Sequence, residues 1–331
     1  MTTRSPVLFI VFNRFDTAAR VLEAIRKARP PRLYIAADGP RQNRPGEAER
    51  CAQVRSLAQQ VDWPCEVHTL FRDENLGCKF GPKTAIDWFF QHEPEGIILE
   101  DDCVPKPSFF TFCDEMLERY RNDPRVMSVA GYNFHSRQWM PRASYYFSRY
   151  NITWGWASWR RAWQHYDLEM RDWPAFRRSS RMQRLFPREW YGRRCWRDIM
   201  DRTYDGRLPS AWDYQFIFTA WRLGAYGCVP EVNLVENIGF GPEATHTVHP
   251  DDWVTRLRAE EIKFPLRHPA SVEIDHEGDR RYELKLRGGG FWAAVERKLR
   301  RVLRLPDAVH PVVAATAELA NTPRVTGSSP T

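Results

Sequence analysis

Short apolar runs alternate with amphipathic segments through the first 130 residues, and this alternation constrains the fold more than any other feature of the chain. Residues 7–12 (VLFIVF) are continuously apolar, which predicts a buried strand. A helix capped by Asp16 follows, with Val21, Leu22 and Ile25 on its inner face. Residues 33–37 predict a second strand, ending in the turn sequence DGP, and 66–71 a third. A very short strand is expected at 97–99 and another at 126–130, with helices over 47–61, 83–91 and 108–121. This order predicts an α/β fold with a mostly parallel sheet covered by helices on both faces. Ligands of such sheets bind outside the carboxyl ends of the strands. Those ends carry Asn13, Arg14, Asp38 and the cluster Glu100-Asp101-Asp102.

The second half is richer in aromatic residues and arginine and is expected to fold onto the same sheet. Gly288-Gly289-Gly290 marks a break, after which 291–305 read as a basic amphipathic helix. From about 306 onward the composition predicts a disordered tail. The net charge of +7 suits anionic partners without choosing among phosphates, membranes and nucleic acids. Seven cysteines without a CxxC pair argue against a disulfide framework or structural zinc and predict a reducing, cytoplasmic location. The run at 7–12 is too short for a signal core or a membrane span.

Five segments carry candidate chemistry. At residues 97–102 an apolar strand ends directly in three carboxylates. Like charges so close need a compensating cation or water. Hard oxygen ligands suit Mn2+ or Mg2+, and such ions keep substrate phosphates in their shell; a solvated acidic turn is the alternative. Asn13-Arg14 and Asp38 would lie beside that cluster, where Arg14 can pair with phosphate and Asp38 can accept a base N–H. For Asp38 ordinary turn chemistry is the alternative. In LPSAWDYQF (208–216) Asp213 sits among aromatics and reads either as a catalytic base or as a helix N-terminal acid. TWGWASW (153–159) offers indole faces for a sugar, Trp156 included, or for the core. His246 and His249 could share a metal on a helix, but their Gly- and Pro-rich surroundings predict a loop. No P-loop, no GxGxxG after the first strand and no GxSxG elbow occurs.

In order along the chain, PVLFIVFNR, IAADGP, IILEDDCVPKPSFFTF, VMSVAGYN, WGWASWRRAW, SAWDYQF and PEVNLVENIGFG resemble glycosyltransferases of the GT-A fold. The resemblance is strongest to the group around N-acetylglucosaminyltransferase I and its bacterial relatives, over about 6–247. It implies a catalytic domain at 1–287, with a nucleotide-sugar half to about 130 and an acceptor half beyond, followed by the helix at 288–305 and the tail at 306–331. It implies that Arg14 and Asp38 contact the nucleotide and that Glu100-Asp101-Asp102 is the DxD-like motif. Asp102 would hold the metal and Asp101 would orient the donor sugar. Asn13, Glu100 and Trp156 would belong to the donor site, and His246 to a loop that orders over the donor. Asp213 matches the region of the catalytic base, where the family has two adjacent acids and this chain has Asp213-Tyr214.

The implied activity is inverting, metal-dependent transfer of a sugar from a nucleotide diphosphate donor to a glycan or lipid-linked hydroxyl. A UDP-sugar, UDP-N-acetylglucosamine among them, is the family's suggestion for the donor, and polysaccharide or lipopolysaccharide synthesis for the setting. The basic helix at 291–305 would either touch the cytoplasmic membrane face or dock on the catalytic domain. Two rivals stand beside this expectation. One is a non-catalytic nucleotide-sugar-binding protein on the same fold, which would need no base at Asp213. The other is a nucleic-acid binder using the Arg-rich stretch 177–207, although no known nucleic-acid motif accompanies it and no nucleic-acid partner is expected.

Overall fold

The computed structural model describes residues 2–135, 139–186, 190–208, 210–240 and 257–286. The expected helix at 291–305, the tail at 306–331, His246 and His249 all lie outside these residues.

The first four strands form a parallel sheet. They are β1 (Val7–Val11), β2 (Arg32–Ala37), β3 (Glu66–Phe71) and β4 (Glu95–Glu100), lying side by side in the order β3-β2-β1-β4. Helix α1 (Phe15–Ala28) links β1 to β2, and α2 (Glu47–Arg55) with a 3-10 turn at Ser56–Gln60 links β2 to β3. Helix α3 (Gly77–His92) then carries the chain back across the sheet, so β4 lands on the other side of β1. The strand order therefore reverses between β1 and β4, and that reversal opens a crevice at their carboxyl ends.

The remaining elements are β5 (Cys103–Pro105), α4 (Pro107–Arg119), β6 (Val126–Ala130), β7 (Tyr145–Ser148) and β8 (Trp156–Trp159). The short helices α5 (Arg160–Trp163), α6 (Trp173–Phe176) and α7 (Ser180–Leu185) follow, then α8 (Trp190–Tyr204) and α9 (Asp213–Leu223). The last are β9 (Tyr226–Pro230), β10 (Val235–Asn237) and α10 (His276–Leu286). Strands β8, β6, β9 and β7 extend the sheet beyond β4 to eight strands. Strand β8 is antiparallel to both β4 and β6, and β7 is antiparallel to β9, so the sheet is mixed, with its parallel character concentrated in the first half.

Strand alternation divides the core in two. Val7, Phe9 and Val11 pack with Val21, Leu22 and Ile25 of α1 and with Phe109, Phe112 and Met116 of α4. Leu8 and Ile98 point the other way, onto Ile86 and Phe89 of α3 and Phe216 and Ala220 of α9. A period of two along a strand requires this division.

Several boundaries differ from expectation for identifiable reasons. The residue before α1 is Arg14, with no side-chain cap, and Asp16 lies in the first turn, where its charge suits the helix dipole. The polar helix tightens to 3-10 geometry after Arg55 instead of running on to 61. Helix α3 starts at Gly77, six residues before the expected 83, and includes Pro82 in its second turn, where the proline forgoes one intrahelical hydrogen bond.

The carboxyl-side helix α10 is tied to the body by a buried ion group. The Arg149 guanidinium pairs with Asp279 (Nε–Oδ2 2.8 Å), and Ser148 donates its hydroxyl to the same carboxylate. Tyr150 donates to Glu283, which lies one helical turn further along. Arg149, Asp279 and Glu283 are all essentially without solvent contact. Among the described residues no helix is long and apolar enough to cross a membrane, and all seven cysteines are free thiols.

Gly155 joins the second half to the site. Its φ is +63°, and an added Cβ would lie 2.7 Å from Val235 Cγ2. Gly155→Ala is expected to lower stability by about 2–5 kcal/mol, through left-handed strain and overpacking together. Urea unfolding should show an earlier midpoint at unchanged slope; a wild-type midpoint would contradict the packing described.

Candidate functional site

The site grows out of the β1/β4 crevice. Register pairs Ile10 with Glu100, so the residues after β1 and those after β4 leave the sheet side by side. Arg14 comes from the first and Glu100-Asp101-Asp102 from the second. The Arg14 guanidinium bridges Asp101 and Asp102, with 2.8 Å to Asp102 Oδ2. Asp101 is buried, whereas Asp102 and Glu100 keep partial solvent contact. One cation thus faces three carboxylates.

The imbalance is visible in their acidities. The carboxyl of Glu100 is pushed up to about 8, by burial first and then by the charges of Asp102, Asp101 and Asp213. Asp101 rises to about 6, burial outweighing the pull of Arg14. Burial would lower Arg14, but Asp101 and Asp102 hold it above its ordinary range.

Asp213, more than a hundred residues away in sequence, is close enough for its charge to act on Glu100. Side-chain alternation explains the meeting. Ile98 faces the α3/α9 side of the sheet, so Glu100, two residues on, leaves on that side too. Asp213 is the first residue of α9, where the helix dipole favours a negative charge. Asp213 thus takes the helix N-terminal position that one of its two sequence alternatives expected, and its charge reaches Glu100 from there. Its surroundings are aromatic, and Tyr166, Tyr214 and Tyr282 are raised by burial first and then in part by its charge. The Tyr166 hydroxyl donates to the carbonyl of Trp212 at 2.9 Å, and its ring stacks on Trp163. That hydroxyl fixes the backbone immediately before Asp213.

Asp102 is covered by an unexpected neighbour. Strand β10 pairs with β5, and Ile238 N donates to the Asp102 carbonyl at 2.8 Å. Gly239 then lies so close that an added Cβ would come within 2.1 Å of Asp102 Oδ2. Only glycine leaves room for the carboxylate there. One feature of the residues present fits a divalent ion, a surplus of hard oxygen ligands over cations. Among the described residues no group of three or more metal-ligating side chains is found. An ion here would need oxygens from its ligand as well as Asp102, as Mg2+ and Mn2+ take phosphate oxygens.

The other expected site residues take several positions. Asp38 follows β2 at the same edge of the sheet, but its carboxylate accepts from the backbone N–H groups of Leu76 and Gly77, each at 3.0 Å. It has the turn-forming role that the DGP sequence allowed. Asn13 donates to Glu47 at 3.0 Å. Glu47 is wholly buried and also binds Arg41 through backbone and guanidinium, which holds its carboxyl down at about 2. Glu47 thereby ties the turns after β1 and β2 together. Sequence gave no sign of it beyond an acid at the start of a helix.

Trp156 requires a correction. Its side chain has no solvent exposure, and Trp163, Trp212 and Phe216 cover it. It has no face to offer a donor sugar. The strand places residue 156 inward, and the partly exposed tryptophan of the segment is Trp154, just before Gly155. Its ring packs against Tyr132, Phe134 and Phe240 at centroid distances of 4.8, 5.5 and 6.2 Å.

The chain matches no protein-family model and no curated protein. Among solved structures it is similar to a mannosyltransferase from Pyrobaculum calidifontis in complex with GDP-Man and Mn2+, at 11% identity and a TM-score of 0.32, over 66% of this chain and 74% of that one. It is similar to S. aureus TarS at 10% identity and a TM-score of 0.39, over 70% and 59% of the two chains. It is also similar to mouse xyloside xylosyltransferase 1 at 14% identity and a TM-score of 0.30, over 66% and 81%. At these scores the likenesses assign neither activity nor substrate.

Glu47→Gln is expected to cost about 1–3 kcal/mol, the worth of one or two charge-assisted hydrogen bonds. Glu47 is more acidic folded than unfolded, so its contribution is complete above pH 4.5 and falls away as pH drops toward about 2. Urea titrations of both proteins should therefore differ at pH 7 and converge in acid; a constant gap would contradict the ionised Glu47 pair.

Proposed function

We propose that the chain is an inverting glycosyltransferase that uses a nucleotide diphosphate sugar, a UDP-sugar being the first candidate. The observation that carries the proposal is that Glu100, at the end of β4, and Asp213, at the start of α9, belong to the same face of the sheet, where α9 shares a core cluster with Ile98, near enough for the Asp213 charge to act on Glu100. The acidic cluster suits a metal-bound diphosphate and Asp213 suits an acceptor hydroxyl, and a transferase needs both.

In this reading the donor diphosphate lies at the carboxyl ends of β1 and β4. Arg14 turns part of its charge from Asp101 and Asp102 toward the phosphate oxygens, which match its planar donors. Asp102 would hold a Mn2+ or Mg2+ ion, whose chemistry would be to supply the further positive charge that a departing diphosphate needs. Asp213 accepts the proton of the acceptor hydroxyl. The hydroxyl oxygen bonds to the anomeric carbon as the bond to the diphosphate oxygen breaks, and that electron pair leaves with the nucleotide. A single displacement of this kind inverts the anomeric centre. Trp154 offers the partly open indole face near this edge for stacking on a sugar, and Tyr166 keeps Asp213 in position. The acceptor is a glycan or lipid-linked hydroxyl.

The non-catalytic alternative has no use for a proton acceptor at Asp213. The test is turnover of labelled UDP-sugars, read as transfer or as slow donor hydrolysis. Asp213→Asn should lower kcat by ~10²–10⁴-fold with donor binding retained. Equal turnover by the two proteins would remove Asp213 from the chemistry. Binding without turnover in the wild type, with acceptors supplied, would favour the non-catalytic reading.

A further inference from the structure

The arginine-rich stretch at 177–207 has no part in the acidic centre, and the structure gathers four of its arginines. A cavity of about 290 Å³ between α7 and α8 is lined by Arg177, Arg178, Arg193 and Arg197, with Met182 and Gln183. Trp196 and Met200 turn into the core, which leaves Arg193 and Arg197, one turn apart, on the cavity side of α8.

The positive charge there is poorly compensated. Asp201 takes Arg177 through two hydrogen bonds of 2.7 Å and also accepts the Trp173 indole N–H at 2.9 Å, so its oxygens are largely spent. Among the described residues Arg178 reaches only the carbonyl of Pro174, through Nε. Arg193 and Arg197 form no ion pair among the described residues, and the charge of Arg197 shares Asp201 with Arg177. Guanidinium groups facing one concavity repel one another, and an anion filling it removes that cost. The planar fork of arginine matches phosphate oxygens bidentately.

We propose that this cleft is a second anion site that binds a phosphate or diphosphate group. Its concave form suits a compact head group, whereas a nucleic-acid strand needs a groove that tracks a backbone and aromatic platforms for its bases. The proposal does not rest on the transferase reading, because no residue of the acidic centre lines the cleft.

The test uses the full chain in EDTA, with inorganic phosphate and pyrophosphate titrated calorimetrically. Arg193→Glu/Arg197→Glu should weaken pyrophosphate binding at least tenfold, and Arg193→Gln/Arg197→Gln should weaken it in the same direction. Arg280→Glu, outside the cleft, should leave it unchanged. Thermal melts check that each variant is folded. Vesicles of phosphatidylcholine with and without phosphatidic acid identify the source. Loss of phosphatidic acid binding in the double variant assigns the cleft to a lipid head group, and loss of pyrophosphate binding alone assigns it to a soluble phosphate. Undiminished pyrophosphate binding by the folded double variants, or none by the wild type, would overturn the proposal. So would an oligonucleotide whose binding the double variants lose while pyrophosphate binding persists.

Discussion

Three consecutive carboxylates at the end of a central strand are an electrostatic liability, and the placement of Arg14 answers it. Arg14 reaches Asp101 and Asp102 only because β4 lies next to β1, which requires α3 to carry the chain back across the sheet. With β4 placed beyond β3 instead, the acids would have no cation and the sheet no crevice. One guanidinium does not balance three acids, and Glu100 and Asp101 are weaker acids than usual, through burial first and then through the neighbouring carboxylates. A crevice with that residual negative charge suits a cation bound together with a phosphate ligand.

The second half of the chain supplies what the first lacks. Strand β8 runs antiparallel into the middle of the sheet, so Trp154 and Gly155 arrive at the same edge as Glu100. Helix α9 covers the face toward which Glu100 points and presents Asp213 at its start. Strand β10, paired with β5, lays Gly239 against Asp102. The site is thus assembled from segments distant in sequence, each fixed by backbone pairing or core packing, which is how a sheet scaffold holds such groups with little freedom.

Much of the first half was legible because β1, β2 and β4 are buried on both faces and read as largely apolar runs. The short strand at 97–99 and the acids after it were visible for that reason. The inserted antiparallel β8 was not, since pairing direction leaves no mark on composition. Trp156 was misplaced because a cluster of tryptophans looks alike in sequence whichever way each points; the strand register, which sequence does not give, decides it. Asn13, Asp102 and Asp213 were found as candidates, but the residues that hold or crowd them were not: Glu47, Gly239 and Tyr166 act through contacts 34 to more than 130 residues apart.

The central claim is that Asp102 and its neighbours form a site for a metal-bound nucleotide diphosphate. Thermal shifts with UDP-sugars, each with and without Mn2+, test it most directly, since a ligand of the folded state raises the melting temperature by mass action. The account predicts a rise that needs both the nucleotide sugar and Mn2+ and that Asp102→Ala abolishes. A rise of the same size in Asp102→Ala would contradict it.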